Sequence, residues 1–564
     1  MPGKKLSKAE RLLKDGYFPA QLPPAFVTES LAKKRKLIYA ELKKIINNDL
    51  MQLPKTQFAK YSIARSLHNR RLLAIPNPII QIFLCHEISS HWKQLTKHFK
   101  KSKISVSTPE FRLDSKRATE ILPISDLQEK RHFFSSGKKF ILVSDISRFF
   151  PSIYTHSLAW TLHEKALCKL PSVQKDYKKY LGNRLDLLAR KCQDNQTVGI
   201  PVGPDTSHIL AELVAVSVDV IIKSQNKKLN CGYRHVDDFY FAFQKYEDAE
   251  NALKIISQAA MEYELDLNEN KTRILSVLDE EENNWTTNLK SFVFTEADYE
   301  AFGSFDDPFE FDEKGYKKAI AEEKNQIYAF FQSAFEISKK YGNYNVMKFA
   351  LKRSAHVKFH EDAWKVYESY LFRIGRVFPN VLQIVCELLF TYKKRGYTIN
   401  QTLLQELVFN TIQESAPLEK HSELAWALWI AKEFSVKITK SVAQTVLTTT
   451  NPICVLIFLD LQSRGLIPKS VNTQRWKNLL VEDSLKNENW LLAYESAVKG
   501  WLKPKDPNFI KKNKFFNVLR KHKISFYDTK KKTGLFLKLE EHKMLSPSLL
   551  LESIILIDDD EYIY

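Results

Sequence analysis

The stretch from Tyr233 to Phe243, YRHVDDFYFAF, constrains the fold of this chain more than any other. Aromatic and β-branched residues flank Asp237 and Asp238, which predicts a β-hairpin with an acidic tip. Adjacent carboxylates repel each other, so a fold holds them together at a cost unless a cation lies beside them. A pair of Mg²⁺ ions about 4 Å apart, the arrangement used in phosphoryl transfer, would supply that charge. Taken alone, the stretch is equally typical of a polar turn.

Size and charge set the next limits. A chain of 564 residues is too long for one core, so we expect two or more domains. Its formal net charge of +19 indicates a polyanionic partner, with nucleic acid as the first candidate and an anionic membrane as the second. The longest apolar run, residues 453–459, is too short for a membrane span, and the basic N-terminus has no apolar signal core. We therefore expect a cytoplasmic protein that binds no membrane. The six cysteines are scattered, which argues against zinc and disulfides.

A second stretch, KKFILVSDISRFFPS, reads as a buried strand over residues 140–143 with Asp145 at its end. The ends of such strands expose reactive groups in domains that mix helices and strands. Pro151 and Ser152 then predict the start of a helix.

Two further stretches follow the same order along the chain. In TVGIPVGPDTS, Gly199 and Gly203 bracket a tight turn, and Ser207 lies at the start of a long helix, where it can cap the helix or face a ligand. In LDLNENKTRIL, Lys271 lies on a predicted turn and could protonate a leaving pyrophosphate; a solvated turn lysine is the alternative.

Upstream, Arg70 and Arg71 precede a short strand, LLAI, and could hold phosphates by forked hydrogen bonds or be ordinary surface charges. Residues 99–119 are polar and basic, and we expect a mobile loop there that carries Arg112, Lys116 and Arg117.

In this order, the stretches resemble the palm of reverse transcriptases. The strand ending in Asp145 matches the first metal-binding motif, GIPVGPDTS the helix-opening motif, HVDD the tyrosine-x-Asp-Asp box and LDLNENKT the motif after it. RRLLAIPNPIIQ resembles the fingers motif. His235 replaces the usual tyrosine of the box, and Val202 replaces the glutamine common before Gly203. Both departures argue against ordinary templated copying and leave the metal ligands intact.

A narrower resemblance rests on the N-terminal GYFPAQLPPAF, the glutamine-less GIPVGP and a long helical C-terminus. These features look like the bacterial abortive-infection and related defence-associated reverse transcriptases. The resemblance implies an α+β fingers and palm followed by an all-α, HEAT-like helical domain. It also implies an oligomer in the bacterial cytoplasm that acts against phage. Several members of that family make DNA without a template from a tyrosine primer.

The resemblance also implies roles for single residues. Asp145 and Asp237 would bind two Mg²⁺ ions, or Mn²⁺ in their place, with the Ile146 carbonyl as an added ligand and Asp238 as the supporting carboxylate. Phe150 matches the steric gate that favours deoxynucleotides. The expected nucleotide-binding residues are Phe150, Gly203, Ser207, Arg70, Arg71 and Lys271.

The predicted organisation has four parts: a basic extension (1–57), fingers and palm (58–290), an acidic and aromatic junction (291–316) and a helical C-terminal domain with an acidic tail (317–564). Residues 510–534 interleave lysines with Phe515, Phe516, Phe526 and Tyr527, a pattern that suits stacking on single-stranded nucleic acid or a solvated basic helix. Tyr564 and Tyr562 of the tail are candidate primers, with Tyr39 and Tyr17 as rivals.

Three functions are consistent with these patterns. The first is protein-primed, untemplated DNA synthesis, with dNTPs as substrates and a covalently attached single-stranded DNA as product. The second restores a template, a noncoding RNA encoded beside the gene. The third, from another class, is a nucleic-acid-binding scaffold with a vestigial palm, against which the intact carboxylates argue.

Overall fold

The computed structural model describes residues 6–65, 69–112, 115–226, 229, 231–281, 289–295, 297–302 and 311–534. Six strands lie in its first half: β1 (Ala59–Ala64), β2 (Arg70–Ile75), β3 (Phe140–Asp145), β4 (Gly232–His235), β5 (Asp238–Phe243) and β6 (Arg273–Ser276).

Thirteen α-helices accompany these strands in the described part of the chain. They are α1 (Lys8–Lys14), α2 (Glu29–Ile45), α3 (Pro78–Ser90), α4 (Trp92–Phe99), α5 (Ile124–Ser135), α6 (Phe149–Ser152), α7 (Ser157–Leu162), α8 (Lys165–Cys168), α9 (Pro171–Gln174), α10 (Leu181–Lys191), α11 (Asp205–Gln225), α12 (Tyr246–Met261) and α13 (Val277–Glu281).

The described C-terminal part is helical from Glu313 onward. Its helices are α14 (Glu313–Tyr341), α15 (Asn345–Ser354), α16 (Glu361–Val377), α17 (Leu382–Lys394), α18 (Gln401–Ser415), α19 (His421–Phe434), α20 (Lys440–Val446), α21 (Pro452–Ser463), α22 (Gln474–Lys477), α23 (Trp490–Val498), α24 (Phe509–Lys512) and α25 (Lys514–Lys521). Short 3₁₀ helices cover Leu50–Gln52, Tyr299–Phe302, Pro379–Val381 and Asp483–Leu485.

The predicted acidic hairpin, β4–β5, forms one side of a four-stranded antiparallel sheet with the order β4-β5-β3-β6, in which β5 and β3 are the central strands. Side chains of β5 alternate between its two faces, as a strand requires. Phe239 and Phe241 join the large core that includes α11 and α12, whereas Tyr240 and Ala242 pack in a smaller cluster with Leu127 of α5. Both faces of the sheet are therefore covered, and its functional groups lie at the ends of strands.

The hairpin β1–β2 is held by the helical C-terminal part. The Trp490 indole N–H donates to the Ile75 carbonyl at 3.2 Å, and the Asn451 amide donates to the Lys60 carbonyl at 2.6 Å. Arg70 pairs with Glu423 across the same contact. Through these contacts, the C-terminal helices support the β1–β2 hairpin directly.

The N-terminal segment also joins the C-terminal part through backbone hydrogen bonds. Val27 N–H donates to the Phe526 carbonyl at 3.0 Å, and Asp528 N–H donates to the Ala25 carbonyl at 2.7 Å. Helix α2 packs against α25 beside this contact. In α2, Ile38 and Leu42 are buried, whereas Leu37 is 61% exposed.

One prediction for residues 510–534 is wrong. Phe515, Phe516, Phe526 and Tyr527 are all buried, because they fill the core between α23, α25 and the N-terminal segment. Their rings are not available for stacking on bases.

Within the described residues, no single helix is both long and apolar enough to cross a membrane. Glu361–Val377 and Pro379–Lys394 meet that standard only as a pair bent by 119°.

Candidate active site

The ends of β3 and β5 bring the predicted carboxylates together. Asp145 is the cross-strand neighbour of Asp238, and Asp237 lies in the turn that precedes β5. The Ile146 N–H donates to the Asp237 carbonyl at 3.1 Å. The LDLNENKT stretch closes the other side, because the Asn268 N–H donates to the Asp145 carbonyl at 2.7 Å. Residues far apart in the chain thus build one acidic site.

Burial and mutual repulsion raise the pKa of two of these carboxyls. Burial, with the neighbouring charges of Asp238 and Asp145, raises the pKa of Asp237 to about 7. Burial and the charge of Asp145 raise the pKa of Asp238 to about 6. Both shifts indicate that burial, together with the neighbouring carboxylates, disfavours negative charge at this site.

Lys271 lies in the site, where its ammonium group contacts the Asp145 carboxylate. Burial opposes the charge on Lys271, but the hydrogen bond to Asp145 and the charges of the three aspartates outweigh burial and raise the pKa of the lysine. Lys271 is therefore charged at neutral pH and partly compensates the acidic cluster.

The donor set fits Mg²⁺, which prefers carboxylate and carbonyl oxygens. The Ile146 carbonyl oxygen, next to Asp145, accepts no hydrogen bond from the described backbone. Across the described ranges, no three His, Cys, Asp or Glu side chains already surround one metal position. Asp145 instead contacts Lys271, so metal binding here would require that contact to be exchanged.

The GIPVGP loop lies against strand β2 and the N-terminal segment. Gly203 has a φ of +134°, and a Cβ there would come within 2.9 Å of Pro19 Cγ and 3.0 Å of the Ala74 oxygen. The Val202 carbonyl accepts from the Ala74 N–H at 2.6 Å. Gly203 is therefore required by close backbone approach. Ser207 is buried in the first turn of α11 and makes no side-chain cap there.

Phe150, five residues after Asp145, is buried. Its ring packs edge-to-face against His208 of α11, with centroids 5.5 Å apart. The Phe150 carbonyl accepts from the Ile200 N–H at 2.9 Å, which ties this residue to the GIPVGP loop.

The structure does not place Arg70 at the acidic cluster. Its guanidinium forms a forked ion pair with Glu423, with N–O distances of 2.7 and 2.8 Å, and also bonds Ser62. Arg71 follows it in β2 and is half-buried. Sequence reasoning missed two other cations, Arg65 and Arg131, whose charges lower the pKa of Asp238. Arg65 lies at the tip of the hairpin, directly after β1.

The candidate priming tyrosines are placed differently. Tyr17 is fully buried and donates to the Pro76 carbonyl at 2.5 Å, so its hydroxyl is not accessible. Tyr39 is half-buried and stacks on His86, and burial raises its pKa to about 12. Tyr562 and Tyr564 lie outside the described residues.

In the described parts of the expected loop, residues 99–112 and 115–119, side chains bond buried carboxylates of α11, which argues against a mobile loop there. Arg117 is buried and bonds Asp205 and the Phe18 carbonyl. Ser107 and Ser105 bond Glu212, which also pairs with Arg234. The signal that sequence reasoning overlooked is a pair of acids, Glu212 and Asp219, inside an otherwise apolar helix.

A carboxylate cluster at the end of an antiparallel sheet is the arrangement expected of a nucleotidyltransferase palm. Residues 79–305 match the family described as reverse transcriptase (RNA-dependent DNA polymerase). This part of the chain is thus a reverse transcriptase domain, which confirms the prediction of a reverse-transcriptase-like polymerase.

Among solved structures, the chain is similar to a telomerase from Candida albicans, solved in complex with the TWJ fragment of telomeric RNA. The two share 12% identity and a TM-score of 0.29, over 72% of this chain and 67% of that one. No curated protein matches the chain.

Proposed function

We propose that the protein is a DNA polymerase of the reverse transcriptase type that joins deoxynucleotides with the help of two Mg²⁺ ions. The observation that carries this proposal is the cluster of Asp145, Asp237 and Asp238 inside the matched domain. Bound Mg²⁺ would lower the pKa of the attacking hydroxyl and neutralise the triphosphate charge. Asp145, Asp237 and the Ile146 carbonyl would hold the metal, and Lys271 would place a proton and a positive charge beside the reacting phosphates.

We further propose that synthesis is untemplated and primed by a protein tyrosine, in antiphage defence. The support is the narrower resemblance and the packing of its two features on each other. Pro19 of GYFPAQLPPAF lies against Gly203 of GIPVGP. The Tyr17 hydroxyl donates to the carbonyl of Pro76, which lies two residues before helix α3. The Val202 carbonyl accepts a hydrogen bond from the Ala74 N–H, so this backbone group of the GIPVGP loop is already paired with strand β2.

Single-nucleotide incubation tests this proposal. Purified protein is incubated with Mg²⁺ and each dNTP separately, without primer or template, and DNA that remains with the protein after phenol extraction is measured. Growth with one dNTP supports untemplated, protein-primed synthesis. A product that requires all four dNTPs and co-purified RNA would instead support copying of a noncoding RNA. If neither condition gives a product, and Asp237→Ala behaves like the parent, the palm is a scaffold.

Phe150 provides a test of sugar selection. Shortening the ring in Phe150→Ala should reduce the preference for dNTPs over rNTPs by about 10- to 100-fold, since one such pocket contact contributes about 1–3 kcal/mol. The measurement is the ratio of kcat/KM for dGTP and GTP. Phe149→Ala is the control, because it removes a neighbouring buried ring. An unchanged ratio with reduced stability would show that Phe150 serves only the core.

Arg65 provides a test of triphosphate recognition. Arg65→Ala should raise the KM for dNTPs by about 10- to 100-fold, as expected for the loss of a charge-assisted hydrogen bond of about 1.5–3 kcal/mol. The melting temperature should hardly change, because Arg65 is exposed. Arg70→Ala should show the opposite pattern, a lower melting temperature with a small change in KM, since Arg70 is paired with Glu423. Reversed patterns would return the phosphate role to Arg70.

A further inference from the structure

Arg234, two residues before the turn that carries Asp237, is fully buried. Its guanidinium bonds two carboxylates of α11: Asp219 through Nε and Nη2, each at 2.8 Å, and Glu212 through Nη1 and Nη2, each at 3.0 Å. Glu212 and Asp219 lie seven residues apart, two helical turns, and so share one face of α11. Arg234 therefore links the β4–β5 hairpin, whose turn carries Asp237, to helix α11.

One bond of Arg234 reaches the catalytic turn itself. Nη1 donates to the Val236 carbonyl at 2.7 Å, while the Val236 N–H donates to Ser107 Oγ at 2.9 Å. The backbone N–H and carbonyl of Val236 are thus both hydrogen-bonded to side chains of one buried network. The Val236 carbonyl belongs to the peptide bond that leads into Asp237, so this contact fixes the backbone from which that carboxylate projects.

The backbone conformation of Val236 that these bonds hold is energetically unfavourable. Val236 has a φ of +56°, in the left-handed region that β-branched side chains rarely adopt. Such strain persists only where the surroundings impose it, and it concentrates at functional sites. The network around Arg234 supplies that constraint: Ser102 bonds Asp219 at 2.7 Å and Ser105 bonds Glu212 at 2.5 Å.

We propose that Arg234 is a positioning residue for the polymerase reaction, which holds the strained Val236 turn so that Asp237 and Asp238 stay beside Asp145 as a metal-binding set. This inference rests on the proposed function. Arg234 touches no substrate; it acts on the catalytic carboxylates through the Val236 carbonyl.

Arg234→Lys is the informative variant, because it keeps the buried positive charge but loses the forked hydrogen bonds of the guanidinium group. A single ammonium group cannot bond two carboxylates and the Val236 carbonyl in the guanidinium geometry. We expect kcat to fall about 100-fold with the KM for dNTPs unchanged, the size of effect that a small misplacement of catalytic groups produces. Arg190→Lys is the matched control, since Arg190 also forms a forked pair, with Asp186 on α10. It should keep the parent's kcat.

A double-mutant cycle separates positioning from stability. Glycine adopts positive φ freely, so Val236→Gly removes the strain that Arg234 must hold. In the Val236→Gly background, Arg234→Lys should cost less than about 10-fold in kcat, against about 100-fold in the parent. An equal loss in both backgrounds would mean that Arg234 only stabilises the fold, and would overturn the inference.

Metal binding gives a readout that is independent of turnover. Mn²⁺ is titrated into the metal-free full chain, and its binding is followed by electron paramagnetic resonance. Arg234→Lys should weaken Mn²⁺ binding about 10-fold, as substitutions of residues that support metal ligands do. Arg190→Lys should leave Mn²⁺ binding unchanged. Parent affinity in Arg234→Lys would overturn the inference. A parent that binds Mn²⁺ but makes no DNA would overturn the proposed function alone, whereas a parent that binds no Mn²⁺ would overturn both.

Discussion

Asp237→Asn should abolish nucleotide incorporation, by at least about 1,000-fold, and at the same time stabilise the metal-free protein. The two effects have one cause. The carboxylate is needed for the metal, but without metal its charge is buried beside Asp238 and Asp145, which raises its pKa to about 7. Asparagine fills the same space without the charge. We expect a gain of about 1–3 kcal/mol in the free energy of unfolding at pH 8.

The pH dependence has a definite sign. Because the pKa of Asp237 is higher in the folded protein, about 7, than its usual value of 3.8, the parent loses stability as pH rises through that interval. The advantage of Asp237→Asn should therefore be small near pH 4 and complete above pH 7. Mg²⁺ should raise the melting temperature of the parent and leave that of the variant nearly unchanged, since a ligand stabilises only the state that binds it.

Melting curves between pH 5 and 8, with and without Mg²⁺, check both effects. Asp266→Asn is a suitable control, because Asp266 is an exposed acid near the site. A variant that loses activity together with several degrees of melting temperature at pH 8 would contradict the crowded-carboxylate account.

The second large effect concerns the contact between the β1–β2 hairpin and the C-terminal helices. Glu423→Arg should lower the free energy of unfolding by about 2–4 kcal/mol. The Glu423 side chain is 4% exposed and Arg70 25% exposed, so reversal buries two guanidinium groups against each other. The estimate lies below that for a fully buried pair, about 3–5 kcal/mol, because Arg70 retains some contact with water.

The exchanged pair, Arg70→Glu with Glu423→Arg, should recover at least half of the loss, as measured by denaturant unfolding. Glu414→Arg is the matched control: Glu414 pairs with Arg376 in an exposed contact, which should be worth less than about 1 kcal/mol. If the exchanged protein is as unstable as Glu423→Arg, the pair does not join these two parts of the chain.

The sequence predicted those parts of the site that are encoded locally. The Asp237–Asp238 turn, the strand ending in Asp145 and the Gly203 turn each carry their signal within about ten residues, and all three lie where expected. Lys271 also reaches the cluster, because LDLNENKT folds back onto the end of β3.

The roles of Arg70 and Arg234 were beyond local reasoning. The partner of Arg70 is Glu423, 353 residues away, and nothing near either residue distinguishes this pair from surface charges. Arg234 sits inside the recognised box, but its bonds to Glu212 and Asp219 depend on how α11 crosses the sheet. The prediction for the aromatic residues around 515–527 was wrong for the same reason, since Tyr527 pairs with Phe26 of the N-terminal segment, 501 residues away in the chain (527 − 26).

The backbone joint between residues 25–27 and 526–528 determines how this protein can be shortened. A fragment cut at the limits of the family match, residues 79–305, would keep all three aspartates. It would lose the β1–β2 hairpin, the Pro19 contact at Gly203 and Tyr17 beneath Pro76. It would also expose the apolar surface of α3 that packs against α1 and α2. Segments from both ends of the described sequence therefore complete the surroundings of the acidic cluster, although the cluster itself lies within residues 79–305.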